Sequence, residues 1–100
     1  MKFALPKDRM KFNIREGLRH LSYFGLLVGG ETSYVRRLSR IQHYPRFHLY
    51  LNETNDQITF NLHLDQKHAS YKGSSAHSGE YDGDTVKAEA ERIIGVLQES

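Results

Sequence analysis

Six histidines in 100 residues are the first groups to question. Imidazole has an ordinary pKa of about 6.5, so near neutrality it can bind a metal, move a proton or carry charge. His63 and Asp65 are two apart in a stretch that alternates apolar and polar residues, so on a strand their side chains share a face. His48 belongs to a second alternating stretch, and His77 follows in the segment beyond His63. His48, His63 and His77, with Asp65 beside them, are the donor types of an open zinc or iron site with one position left for water. Any pair of alternating strands containing histidine will bring imidazoles to one face, so the donor types alone do not separate a metal centre from an ordinary polar surface.

A second group is cationic. Arg36, Arg37, Arg40, His43, Tyr44 and Arg46 fall within eleven residues, and Lys67 follows the second alternating stretch. Interleaved cations and aromatic rings suit a phosphate backbone with stacked bases. The expected anion- or nucleic-acid-binding set is Arg36, Arg37, Arg40, Tyr44, Arg46, His48, Tyr50, His63 and Lys67. A third group, His77-Ser78 with Glu80 and Asp82, holds a base, a hydroxyl and acids. Adjacent residues rarely align as base and nucleophile, and Asp82-Gly83-Asp84 suits the start of a helix, where carboxylates favour the dipole. No glycine-rich phosphate loop, Gly-x-Ser-x-Gly elbow or His-Glu-x-x-His occurs. The chain has no cysteine, which excludes disulfides, thiolate nucleophiles and thiolate-bound zinc. The expectation is a binding module without a cofactor rather than an enzyme, with zinc or iron entering only under the metal reading.

These groups need elements to hold them. Asn13 followed by Glu16 marks a helix start, and Ile14, Leu18 and Leu21 continue it as one apolar stripe. Residues 23–28 and 33–38 flank Gly29-Gly30, the pattern of a hairpin. Residues 47–51 and 58–65 alternate strictly around a polar turn, a second hairpin. Its apolar sets face one side when paired numbers sum to an odd total. A total of 109 sets Leu51 opposite Ile58 and Arg46 opposite His63, with His48 diagonal to His63. Residues 66–83 form a long irregular stretch of the kind that often serves function. A last helix starts with Asp84 as its cap. Val86, Ala90, Ile93, Ile94 and Leu97 are its buried stripe, while Lys87, Glu89, Glu91 and Arg92 face water. The fold class is α+β: helix, four-stranded antiparallel sheet built of two hairpins, helix, with both helices on one sheet face. Residues 1–12 read as a basic leader and 13–100 as a single domain.

Tyr44-Pro45-Arg46-Phe47-His48-Leu49-Tyr50, His63-Leu64-Asp65-Gln66-Lys67 and His77-Ser78-Gly79-Glu80-Tyr81-Asp82-Gly83 resemble a family of short uncharacterised bacterial proteins. The resemblance covers most of the chain from Asn13 onward and implies no chemistry.

The net charge is +2, unevenly distributed. Residues 1–50 hold ten Lys and Arg against three acids, and residues 51–100 hold four against nine. This asymmetry admits three outcomes: an anionic partner such as nucleic acid, a homodimer pairing unlike halves, or halves that neutralise each other within one fold. Six tyrosines are enough to furnish a protein interface. No apolar run has the length of a signal peptide or a membrane span, so a cytoplasmic protein with no membrane partner is expected.

Overall fold

Two glycines set the first hairpin. Gly29 and Gly30 have φ of 63° and 81°, which is the left-handed pair that a two-residue turn between right-twisting strands demands. They join β2 (Phe24–Val28) to β3 (Glu31–Arg37). The second hairpin joins β4 (Arg46–Glu53) to β5 (Gln57–Asp65). The computed structural model describes residues 1–66, 79–80 and 83–99.

These four strands are the two hairpins expected, but the sheet is larger. β1 (Lys2–Pro6) pairs antiparallel with β5, giving the order β1-β5-β4-β3-β2. A two-residue strand, β6 (Gly79–Glu80), continues along β5 past the end of β1. The added strand comes from the segment read as a basic leader. Within it Leu5 is buried, and Phe3 stacks on Phe60 with ring centroids 5.0 Å apart. Phe3 and Leu5 stand out in the sequence as docking points, but two apolar residues among lysines do not specify a strand or its partner. After β1, the chain makes a 3-10 turn (Lys7–Arg9) on its way to the first helix.

One face of the sheet, which we call the inner face, carries Phe47 and Leu49 of β4 with Ile58, Phe60, Leu62 and Leu64 of β5, all buried in one cluster. Fully burying a side chain of this size stabilises the fold by about 2 kcal/mol. α2 (Asp84–Leu97) lies across β5 and adds Val86, Ala90, Ile93 and Leu97 to that cluster. α1 (Ile14–His20) contributes Leu18, with Leu21 at its end, but it packs against α2 more than along the strands. The contact is close. A methyl group on Gly17 would sit 2.5 Å from Leu97 Cδ2. The Asn13 side chain caps α1 as expected, accepting the Glu16 N–H at 2.9 Å.

Two details of α2 differ from the sequence reading. Its cap is Gly83, with no side-chain hydrogen bond, and Asp84 is the first helical residue. Glu89, assigned to water, is buried: Tyr23 donates its hydroxyl to it at 2.7 Å, and Arg92 donates Nε at 2.8 Å and Nη2 at 3.0 Å. Arg92 Nη2 also reaches the Leu21 carbonyl at 2.8 Å, tying α2 to the end of α1. A charge enters a core only with such partners. They come from Tyr23, 66 positions away in sequence, and from Arg92 in the next helical turn, so helical periodicity alone had no access to the first of them.

Among the described residues no helix is long and apolar enough to cross a membrane.

Candidate functional site

The register of the β4–β5 hairpin decides what the outer face brings together. The strands pair at a total of 111, not 109: Arg46 lies opposite Asp65, His48 opposite His63, and Tyr50 opposite Asn61. The parity argument holds, because Leu49, Leu51 and their partners stay on the inner face, but every pair moves by two. The cause is the turn. Residues 52–57 are not all loop. The strands continue to Glu53 opposite Ile58, and the reversal is closed by Thr54 N donating to the Gln57 carbonyl at 2.9 Å.

His48 and His63 are therefore direct neighbours, their rings 5.1 Å apart and near-parallel. Tyr50 also stacks on His48, at 4.7 Å, and its ring lies 5.7 Å from that of His63, so the three rings form a triangle. Asp65 reaches diagonally across the ladder, its Oδ2 2.8 Å from His48 Nδ1, while its Oδ1 lies 3.7 Å from His63 Nδ1. Arg46 Nε is 3.5 Å from Asp65 Oδ2. On the far side of His48, Nε2 is 2.7 Å from the hydroxyl of Ser33 in β3. Ser33, His48 and Asp65 thus form one hydrogen-bonded line across three adjacent strands. A carboxylate can only accept, so His48 Nδ1 carries a proton toward Asp65, and in the neutral ring Nε2 accepts from Ser33.

Electrostatics follow from this packing. Burial alone would raise the Asp65 pKa, but the His48 hydrogen bond and the nearby charges of His63, His48 and Arg46 outweigh it and hold the carboxyl below its ordinary range. His63 is pushed below the ordinary histidine value, first by burial, with Asp65 opposing and with His48 and the chain's amino terminus adding to the effect.

Of the expected site residues, His48, His63, Tyr50 and Arg46 meet on this face. Arg37 joins them, paired directly opposite Arg46. Arg36 does not. Strand alternation sends it to the inner face, where it lies over the Phe47 ring and 3.7 Å from Glu89. Arg40 is exposed in the connection between β3 and β4, and Tyr44 lies under the Arg46 guanidinium, 4.6 Å from its ring centre. Lys67 and His77 lie outside the described residues, as do Ser78, Asp82 and most of the 66–83 stretch. Of the expected metal donors, His48 and His63 come together, with Asp65 as the third group: one ligand atom from each of the three lies within 4.8 Å of the others.

Ser33 was not among the expected site residues. Its role depends on the β3–β4 register, in which Val35 opposes His48. The irregular connection between those strands hides that register from the sequence. Beside Ser33 the face dips into a hollow of about 290 Å³ lined by Leu26, Glu31, Ser33, Arg46, His48 and Tyr50. Compared with models of protein families, with curated proteins and with solved structures, the chain matches none, so the site's own geometry carries the functional reading.

Proposed function

We propose that the outer face over β3, β4 and β5 binds a ligand through an anionic group, phosphate or nucleic acid being the fitting chemistry. The observation that carries this reading is the cross-strand pair Arg37–Arg46, two like charges directly opposite each other beside His48 and His63. Such a pair destabilises a sheet by itself, and a bound anion relieves the repulsion. Arg46 already has Asp65, whereas Arg37 is exposed and available to a ligand. Tyr50 and the hollow beside it offer a ring and a recess to the rest of the ligand.

The test is fluorescence anisotropy with a labelled single-stranded oligonucleotide, with inorganic phosphate as competitor. Affinity should fall steeply with salt, and Arg37→Glu should weaken binding about tenfold, the loss of a charge-assisted contact worth roughly 1.4 kcal/mol. Binding insensitive to both salt and Arg37→Glu, or no binding, removes the reading.

A metal at His48, His63 and Asp65 is the second reading, favoured by the proximity of their donor atoms. It must displace the Arg46 contact and the His48–Asp65 hydrogen bond to reach those atoms, which is why it ranks second. Metal analysis of the purified protein, with melting before and after EDTA, separates the two.

A further inference from the structure

We infer that Ser33 is a nucleophile, with His48 as its general base and Asp65 as the residue that positions the base. Two short hydrogen bonds carry the inference, Ser33 Oγ to His48 Nε2 at 2.7 Å and His48 Nδ1 to Asp65 Oδ2 at 2.8 Å. That is the ordered chain by which an unactivated hydroxyl becomes reactive: the base within reach of the hydroxyl, and a third group fixing the base's tautomer and direction. The line is held by three neighbouring strands rather than by loops, so its geometry is rigid. Both side chains are buried, Ser33 5% and His48 9% exposed, and the hollow they line is their route to solvent. Ser33 and His48 both line the hollow of about 290 Å³, and Arg46 lines the same recess, where its guanidinium can meet negative charge developing on a substrate oxygen.

The chemistry is acyl transfer from a small ester. Ser33 Oγ bonds to the acyl carbon as its proton passes to His48 Nε2. The ester C–O bond breaks, and the departing alcohol takes that proton. Water then attacks the acyl-serine, giving a proton to Nε2, and the acid leaves as Oγ regains its hydrogen. The hollow, about 290 Å³ and open to solvent, suits the acyl group of a small carboxylic ester. That the ester also carries an anionic group rests on the function proposed above; the nucleophile does not.

The test is reaction of the whole protein with an alkyl fluorophosphonate, read by intact mass and peptide mapping. A single adduct on Ser33 is expected, absent from Ser33→Ala and from His48→Gln. Asp65→Asn should slow labelling by about 10²- to 10⁴-fold, with partial recovery in Asp65→Glu, a recovery that a purely structural role would not give at the level of rate. No adduct on the wild-type protein, an adduct on another residue, or an Ser33 adduct that persists in His48→Gln overturns the inference. Oligonucleotide binding without a Ser33 adduct defeats the nucleophile alone. An adduct without oligonucleotide binding defeats the anion reading alone.

Discussion

At the scale of residues, the buried polar groups make statements about pH. The folded-state pKa of His63 is depressed, chiefly by burial. The unfolded chain therefore binds this proton more readily than the folded one. Stability from His63 is present in full above the ordinary histidine value of about 6.5 and is lost as pH falls through the lower folded value. Asp65, also depressed, adds a second loss that begins only below the ordinary carboxylate value of about 3.9. The groups that bear on His63 are Asp65, His48, Arg46 through Asp65, and the amino group of Met1, which donates to the Leu62 carbonyl at 2.7 Å. Urea unfolding should show stability falling as pH drops below about 6.5, and His63→Gln should flatten that slope. An identical slope in the variant would remove His63 from the account. On the other side of the sheet, burial first and Glu89 second raise the Tyr23 hydroxyl far above the ordinary tyrosine value of about 10. In an alkaline absorbance titration of the folded protein, Tyr23→Phe should leave the tyrosinate amplitude unchanged, because Tyr23 does not ionise until the chain unfolds.

At the scale of elements, two positions show where local rules and tertiary packing part company. Ser22 follows the Leu21 cap of α1 with φ of 69°. Tyr23 N donates to the Leu18 carbonyl at 2.9 Å and Ser22 N to the Arg19 carbonyl at 3.0 Å, the paired closure that usually takes glycine at the left-handed residue. Ser22→Gly should therefore raise stability, by about 0.5–1 kcal/mol, the left-handed penalty less the glycine entropy cost. Thermal melting measures it, and a lower melting temperature would contradict the strain. Gly17 runs the other way. The sequence reading treats it only as a weak spot in helix propensity, but it is where α1 approaches Leu97, so Gly17→Val should cost about 1–3 kcal/mol by overpacking. The hairpins, the Asn13 cap and the apolar stripes were legible because each depends on residues a few positions apart. The β4–β5 register missed by two because the turn residues fit both a six-residue loop and a tighter reversal. Ser33, and the burial of Glu89, were illegible because both depend on partners on other elements.

At the scale of the whole molecule, the uneven charge of the two sequence halves is partly offset within the fold. Lys7 pairs with Glu53 at 2.6 Å, Arg46 with Asp65 at 3.5 Å, and Arg36 approaches Glu89 at 3.7 Å. Each joins a cation of residues 1–50 to an acid of residues 51–100. Charge asymmetry along a sequence is therefore weak evidence for a partner here, and the anion reading has to stand on Arg37 and Arg46. The same interleaving gives the amino terminus a structural duty. β1 reaches β5 across fifty intervening residues, covers that strand's outer edge with a five-residue ladder and buries Leu5. Deleting residues 1–6 removes about 2 kcal/mol of Leu5 burial and several ladder hydrogen bonds of about 1 kcal/mol each. It also exposes a long apolar edge of the kind that pairs with other chains. The expected result is a loss of at least about 3 kcal/mol, a fall in melting temperature of about 12 °C or more, with concentration-dependent aggregation. Were these residues only a basic leader, the deletion would leave the melting curve where it was, because nothing in the core would have been touched.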